Sequence, residues 1–308
     1  MNPHLKSKVR RGVSDLAART NAAQDKRLMI RTRFAPSPNG PLHLGHAWSA
    51  IVAHDRARAA GGEFLVRIED IDGARSRPMF TRQALDDLAW LGLTWDSEPI
   101  QQSRRLSSYA QAARNLRHAG FLYPCRCTRG EIAAVATEIG PDGPVYPGTC
   151  KHRQIDPLGA AWRLDVEAAM ARTGPLEWFD ELAGLQVARP ERFGDVVLVR
   201  KDEPASYHLA ATLDDAAQAI SHVTRGRDLF EASHVHRLLQ ALLGIPVPVW
   251  HHHALLVEAD AKGNLVKLAK RRGSPSLAER RASGEDGHAL AGALRAGHLP
   301  AGIFLEKD

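Results

Sequence analysis

Residues 33–46 read Arg-Phe-Ala-Pro-Ser-Pro-Asn-Gly-Pro-Leu-His-Leu-Gly-His, and the architecture can be worked out from this stretch. Ile30–Phe34 is typical of a short strand, and the prolines and glycine that follow exclude both helix and central strand. Residues 45–60 predict a helix closed by Gly61-Gly62, and Phe64–Ile68 predicts a second strand. Strand, loop, helix and strand form a βαβ unit. The chain is therefore predicted to be an α/β protein with a parallel sheet and a ligand near the carboxyl ends of the strands.

The composition is that of an ordinary globular protein, with 44% hydrophobic and 25% charged residues among 308. The apolar runs are too short to span a bilayer, and no stretch resembles a signal peptide. Three cysteines, two of them arranged as C-x-C, favour a metal in a reducing compartment over disulfides. These features predict a cytoplasmic protein without membrane association.

The net charge of +6 comes mostly from residues 1–29, which carry seven basic and two acidic residues. We interpret this stretch as a basic extension, and the body beyond it is nearly neutral. Binding of nucleic acid by the body therefore depends on local patches.

The sequence divides into five predicted parts: a basic extension (1–29), the first half of a catalytic domain (30–120), an inserted mixed module (121–204), the second half (205–271) and a short tail region (272–308). Further helices are predicted at 79–91, 103–119 with Ser103 as N-cap, 209–219 and 233–243. Further strands are predicted at 162–166, 196–200, 220–225 and 247–257. The run His251-His252-His253 is interpreted as part of the last strand, with one histidine facing a nucleotide, rather than as a metal site.

Two motifs carry chemistry. His43-Leu44-Gly45-His46 lies where a strand passes into a helix, and a helix N-terminus is suited to phosphate. Gly45 allows a nucleotide to approach the backbone, and the two histidines can donate hydrogen bonds to phosphoryl oxygens. Lys267-Leu268-Ala269-Lys270-Arg271 follows a predicted strand, and lysines in such a loop can follow a departing pyrophosphate.

Five blocks in this order resemble the glutamyl-tRNA synthetases, a family of class I aminoacyl-tRNA synthetases. They are Arg33–His46 with its "HIGH" signature, Val66–Asp72, Tyr207–Ala210, Thr224–Leu229 and the "KMSKS"-like Lys267–Arg271. The resemblance implies a class I synthetase-type Rossmann (HUP-like) parallel sheet with an inserted mixed α/β zinc-binding module. It also implies a ligase that uses ATP with Mg²⁺ to activate L-glutamate to glutamyl-adenylate.

The resemblance assigns the site residues by position. Those expected at glutamate are Arg33, Phe34, Ala35, Pro36, Ser37, Glu69, Tyr207 and Arg225. Those expected at ATP are His43, Gly45, His46, Lys267 and Lys270, of which His43, His46 and Lys270 are the expected catalytic residues. The arginines can give bidentate contacts to carboxylates, and Glu69 can accept the ammonium. One departure is Ala269, where the family usually has serine; it removes a hydroxyl contact from the loop.

The cysteines predict a single structural Zn²⁺ in the inserted module, held by Cys125, Cys127 and Cys150. The fourth ligand has two candidates. His152 is the commoner ligand type, whereas Tyr146 matches the short relatives of the synthetases, and we predict Tyr146.

The sequence ends 37 residues after Arg271, too few for the helical anticodon-binding part of full-length glutamyl-tRNA synthetases. The chain thus resembles the short members of the family. That resemblance implies tRNA-independent activation of glutamate and its transfer to the queuosine cyclopentenediol at the wobble position of tRNA(Asp). The expected partners are L-glutamate, ATP and the anticodon stem-loop of that tRNA, and the expected state is a monomer. The alternatives are a truncated or discriminating glutamyl-tRNA synthetase that charges tRNA 3′ ends, a non-catalytic tRNA-binding paralogue, and a generic nucleotidyltransferase.

Overall fold

The computed structural model describes residues 29–202, 205–260, 263–268 and 275–306. Every helix among these residues is too short or too polar to cross a bilayer. The described strands are β1 (Arg31–Phe34), β2 (Glu63–Ile68), β3 (Ile100–Gln101), β4 (Leu122–Cys125), β5 (Ile139–Gly140), β6 (Gly143–Pro144), β7 (Ala161–Leu164), β8 (Glu177–Asp180), β9 (Gly184–Val187), β10 (Val197–Val199), β11 (His222–Gly226), β12 (Val249–His253), β13 (Leu256–Ala259), β14 (Leu265–Lys267) and β15 (Ile303–Leu305). The described helices are α1 (Leu44–Ala59), α2 (Pro78–Trp90), α3 (Leu106–His118), α4 (Arg129–Val135), α5 (Val166–Thr173), α6 (Tyr207–Ala217), α7 (Ala232–Leu243), α8 (Leu277–Ala282) and α9 (Gly287–Arg295).

The predicted βαβ unit is confirmed. Strands β1, β2 and β3 are parallel neighbours, and α1 packs on them. The chain leaves α1 through Gly61, whose φ of +62° is the left-handed conformation that glycine adopts without strain. At Gly62 a Cβ would lie 1.9 Å from the carbonyl oxygen of Ile30, so only glycine allows the helix to return to β2 this closely.

The second half of the sheet lies beside β1. Strand β11 is parallel to β12, and the backbone N–H of Ser221 donates to the carbonyl oxygen of Arg31 at 3.1 Å. As a result β1, β2 and β11 end at the same edge. This edge is where the α/β architecture places a ligand.

The inserted module differs from the predicted span of 121–204 in one respect. Strand β8 pairs in parallel with β12 through Asp180 and Trp250, and β9 pairs with β8, so this hairpin belongs to the catalytic sheet. The rest of the module is an antiparallel sheet in the order β10-β7-β4. Its apolar face packs against α3, α6 and α7 in one buried cluster.

The stretch predicted as a short tail region (272–308) packs on the catalytic half. Leu277 of α8 and Leu294 of α9 are fully buried in the same core as α1 and β2, and β15 pairs with β13. These elements are therefore part of the catalytic half, because their apolar residues complete its core.

Two local predictions are wrong. Ser103 does not cap α3: residues 102–105 form a 3₁₀ turn, and Ser103 donates its N–H and Oγ–H to the Asp70 carboxylate instead. The single strand at 247–257 is interrupted at Ala254, whose carbonyl oxygen accepts from Trp48 Nε1–H, and β13 then pairs with different strands. The basic extension lies outside the described residues, apart from Met29.

Candidate active site

A cleft of about 840 Å³ opens at the carboxyl ends of β1, β2 and β11. Its lining includes Arg33, Phe34, Ala35, Pro36, Ser37, His43, Gly45, His46, Glu69, Tyr207, Arg225 and Lys267. These are all the residues that the sequence analysis placed at glutamate or ATP, except Lys270. Lys270 lies outside the described residues, as do its neighbours Ala269 and Arg271.

The N-terminus of α1 faces this cleft and is capped by its own two histidines. His43 Nδ1 accepts the N–H of Gly45 at 3.1 Å, and His46 Nδ1 accepts the N–H of His43 at 3.1 Å. The first turn of the helix carries no acidic residue, so its positive end is available to an anion. A Cβ on Gly45 would lie 3.0 Å from the His43 ring, which explains why glycine suits this position.

The two imidazole rings are held neutral. Burial, followed by the nearby Lys267 charge, lowers the pKa of His43 to about 4. Burial, followed by the neighbouring His43, lowers the pKa of His46 to about 3. Since each Nδ1 already accepts a backbone N–H, the single ring proton of each residue must lie on Nε2. Both histidines can therefore donate from Nε2 to phosphate oxygens without carrying a positive charge.

We expect this tautomer to persist across the neutral pH range. The ¹⁵N resonances of His43 and His46 should show unprotonated Nδ1 and protonated Nε2 from pH 8 down to pH 5, whereas a histidine in the unfolded chain titrates near 6.5. Between these pKa values the histidines are protonated in the unfolded state but not in the native state. This pair therefore makes the free energy of unfolding fall as the pH drops from about 7 towards 4. An inflection near pH 6.5 at either folded residue would contradict the assignment.

Arg33 lines the cleft at the end of β1 and is held in place by hydrogen bonds to buried groups. Its Nε and Nη2 donate to the two carboxylate oxygens of Asp215 at 2.8 and 3.2 Å, and its Nη1 donates to the carbonyl oxygen of Thr224. One N–H on each of Nη1 and Nη2 has no acceptor among the described residues. Arg33 can therefore offer a two-pronged contact to a substrate carboxylate, as the sequence predicts.

Glu69 is the acidic group of the same wall. Its Oε1 accepts from Arg67 Nη2 at 3.2 Å, and Arg67 Nη1 also donates to Asp215 at 2.7 Å. Burial raises the pKa of Glu69, and the charges of Arg67 and Arg33 limit that rise. Burial would likewise raise the pKa of Asp215, but Arg33 and Arg67 reverse this and lower it to about 2. The second oxygen of Glu69 has no partner among the described residues and can accept from an ammonium.

Arg225 differs from the expectation of a free bidentate group. Its Nε donates to His252, its Nη2 to Ser233 Oγ and to a backbone carbonyl, and its Nη1 to Tyr207 Oη at 3.0 Å and His236 Nδ1 at 3.4 Å. All five N–H groups thus have protein acceptors. A ligand can engage Arg225 only at the Nη1 end, where the contact to His236 is the longest.

Two further parts of the lining suit a nucleotide. Lys267 forms an ion pair with Asp228 across the cleft, and His253 lines the same wall with its Nε2 3.0 Å from Ser49 Oγ. A Cβ on Gly226 would lie 2.5 Å from the Asp228 carboxylate, so a larger residue there would displace the Asp228 side chain. The interpretation of His251-His252-His253 as strand is confirmed, and of the three only His253 lines the cleft.

The inserted module brings three thiols and one phenol together. The Sγ atoms of Cys125, Cys127 and Cys150 lie within 4.8 Å of one another. The Tyr146 hydroxyl lies 3.4 Å from Cys125 Sγ and 3.8 Å from Cys127 Sγ, and it accepts the backbone N–H of Cys150 at 2.7 Å. His152 is exposed and is not part of this group. Three sulfur donors and one oxygen donor at this spacing fit a closed tetrahedral site.

Sequence reasoning missed the buried groups behind the cleft. Asp215 and Arg67 orient Arg33 and Glu69, and Asp214 accepts from Tyr109 of α3 and from Arg105 in the 3₁₀ turn before it. The only available signal was the pair Asp214-Asp215 within an apolar helical run. A buried carboxylate requires a cationic or hydrogen-bonding partner, so that pair could have indicated the network.

A helix N-terminus with paired histidines, set against a wall of arginine and carboxylate groups on a parallel sheet, is the arrangement of a class I aminoacyl-tRNA synthetase catalytic domain. The family profile described as "tRNA synthetases class I (E and Q), catalytic domain" matches residues 29–296. A protein of Rhodobacter capsulatus named glutamyl-Q tRNA(Asp) synthetase is 49% identical over 268 residues, covering 82% of this chain and 95% of that protein. A protein of Symbiobacterium thermophilum with the same name is 40% identical, covering 86% of this chain and 85% of that one. The chain belongs to the glutamyl-Q tRNA(Asp) synthetase family and is a ligase of the class I synthetase type.

Solved structures agree with this fold. A glutamate tRNA ligase from Elizabethkingia meningosepticum, in complex with its amino acid, superposes with a TM-score of 0.65 at 27% identity over 80% of this chain. A glutamate-tRNA synthetase from Elizabethkingia anophelis gives a TM-score of 0.66 at 26% identity. The chain spans about half the length of these two synthetases.

Proposed function

We propose that the chain activates L-glutamate with ATP, without requiring tRNA, and transfers the glutamyl group to the queuosine cyclopentenediol at the wobble position of tRNA(Asp). The observation that carries this proposal is one cleft that unites Arg33, Glu69 and Tyr207 with the histidine-capped end of α1. Its amino-acid wall offers guanidinium groups to two carboxylates and a carboxylate to the ammonium, which matches glutamate group by group. The names of the relatives support the choice of acceptor.

Activation proceeds by displacement at phosphorus. The α-carboxylate of glutamate attacks the α-phosphorus of ATP, the bond to the bridging oxygen breaks, and pyrophosphate leaves with Mg²⁺. Catalysis of this kind depends on positioning and charge stabilisation. The Nε2–H groups of His43 and His46 donate to the phosphate oxygens, and Lys267 and Lys270 accompany the pyrophosphate. An acceptor hydroxyl then attacks the glutamyl carbonyl carbon, AMP departs, and an ester results.

We also propose one structural Zn²⁺ in the inserted module, held by Cys125, Cys127, Cys150 and Tyr146. The donor set supports it: three thiols converge on one phenolic oxygen, with Cys125 at the end of β4 and the other three residues in the loops of that module. The ion would hold β4 against the loop that precedes β7. None of the four proposed ligands lines the cleft. The ion would therefore stabilise the folded module and would take no part in the reaction.

The acceptor is tested with labelled glutamate and ATP on three RNAs: tRNA(Asp) with queuosine, tRNA(Asp) without it, and tRNA(Glu). We expect label on the first alone, and the label should survive removal of the 3′-terminal nucleotides. Label at the 3′ end of tRNA(Glu) would mean that the chain is an aminoacylating enzyme. Binding of glutamate and ATP without pyrophosphate exchange would indicate a non-catalytic paralogue.

A further inference from the structure

Asp180 is a fully buried carboxylate that lies outside the cleft, at the end of β8. Its Oδ1 accepts the backbone N–H groups of Leu182 and Ala183 at 3.0 and 2.9 Å. Its Oδ2 accepts from both the backbone N–H and the ring Nδ1 of His252, at 3.1 and 2.8 Å. Burial alone would raise the pKa of Asp180, but these hydrogen bonds lower it to about 2, so the group is a permanent acceptor.

This acceptor determines where the proton of His252 lies. A carboxylate at 2.8 Å requires Nδ1 to carry a proton, and the neutral ring then exposes a lone pair at Nε2. That lone pair faces Arg225, whose Nε–H donates to it at 3.1 Å. The opposite tautomer would set two acceptors against each other at Asp180 and two donors against each other at Arg225. The bond from Asp180 therefore makes His252 an acceptor for Arg225.

The guanidinium plane of Arg225 is fixed in consequence. Nε is bound to His252 and Nη2 to Ser233 Oγ, so the remaining Nη1 is directed to the cleft side, where Tyr207 and His236 lie. The ring of His252 is itself held between aromatic neighbours, with its centroid 5.0 Å from Phe230 and 5.9 Å from Trp178. A rotation of Arg225 would break several hydrogen bonds at once.

We propose that Asp180 and His252 are positioning residues that hold Arg225 with its Nη1 end presented to the substrate carboxylate. The inference rests on the proposed function, because it takes Arg225 as part of the glutamate site. It assigns a role in amino-acid recognition to a hairpin strand that belongs to the inserted stretch of the sequence. Neither residue lines the cleft, so both act through Arg225.

The test compares His252→Gln with His252→Asn. Glutamine can place its amide oxygen near the Nε2 position and keep the acceptor for Arg225, whereas asparagine can only replace the Nδ1 donor to Asp180. We expect His252→Asn to raise the KM for glutamate in pyrophosphate exchange by about ten- to hundredfold, with the KM for ATP within about threefold of wild type. We expect His252→Gln to stay within about threefold for both substrates. His251→Gln is the matched control, since His251 precedes it in the same strand and contacts Glu181 instead.

A second measurement separates this inference from the proposed function. The Nε–H resonance of Arg225 should be protected from exchange in wild type and His252→Gln and should lose protection in His252→Asn, whatever the substrate is. Equal glutamate KM values in the two variants, or equal rises for glutamate and ATP, would overturn the positioning role. Protection that follows this pattern in a protein without glutamate-dependent exchange would instead overturn the glutamate assignment.

Discussion

Replacing Asp215 with asparagine is expected to lower kcat/KM for glutamate-dependent pyrophosphate exchange by about a hundredfold or more, mainly through the KM for glutamate. Asp215 accepts from Arg33 and Arg67, and all three side chains are buried. An amide in its place removes the negative charge and turns one acceptor into a donor that faces a guanidinium. Removing one partner from a buried ion pair costs about 3–5 kcal/mol, so the folded state is also expected to lose stability.

Asp214→Asn is the matched control for this variant. Asp214 is also buried, but its hydrogen bonds go to Gln102, Arg105 and Tyr109, and it reaches the Arg33 network only through a 3.9 Å ion pair with Arg67 Nε. We expect both variants to melt at lower temperature and only Asp215→Asn to lose affinity for glutamate. The measurement is the KM for glutamate and the KM for ATP, together with a thermal melt. Matching KM values in the two variants would show that Asp215 contributes to folding but does not orient Arg33.

The parts of the fold around the cleft that sequence predicts correctly are local in the chain. Residues 33–46 fold as strand, loop and helix with short-range constraints, and the two histidines cap their own helix. The placement of Glu69 after β2 follows from the same parallel sheet, because the ends of neighbouring parallel strands meet at one edge. For residues 33–46 and Glu69, the motif, the hydrophobic periodicity and the parallel-sheet topology therefore predict the same positions at the sheet edge.

The parts that sequence does not predict depend on contacts between distant positions. Arg33 and Asp215 are separated by 182 residues, and Asp180 and His252 by 72. Periodicity marks a carboxylate in an apolar run as unusual but does not identify its partner. The β8–β9 hairpin shows the same limit, since nothing in its own sequence reveals that it pairs with β12 rather than with the inserted sheet.

For Arg225, the sequence predicts the place in the cleft but not which of its N–H groups are available to a ligand. Its place in the cleft follows from the motif, yet the expected two-pronged contact is not available, because its Nε and Nη2 are bound to protein. Only the hydrogen-bond inventory of its neighbours distinguishes it from Arg33, which keeps two N–H groups for a ligand. A substrate carboxylate can therefore make a two-pronged contact to Arg33 but only an end-on contact to Nη1 of Arg225.

Substitutions in the cluster of three thiols and Tyr146 in the inserted module are expected to cause the second large effect, a loss of zinc binding. The same variants identify the fourth zinc ligand. Cys127→Ser should abolish the proposed zinc binding altogether, since a structural site depends on its full set of thiolates. Tyr146→Phe keeps three thiols and the aromatic ring, and we expect it to weaken zinc binding by about a hundredfold. The ring itself should stay in place, because the Arg163 guanidinium stacks on it at 3.8 Å.

His152→Ala is the control that distinguishes the two candidates for that ligand. His152 is exposed and lies outside the thiol group, so this variant should retain one zinc per chain and the melting temperature of wild type. The measurement is metal content after dialysis against a weak chelator, followed by a thermal melt of each variant with and without added zinc. If His152→Ala lost its zinc while Tyr146→Phe retained it, the histidine would be the ligand, and the loop after Cys150 would have to fold back over the cluster. The geometry favours the opposite result, because the Tyr146 hydroxyl already lies among the sulfur atoms and is held there by the backbone N–H of Cys150.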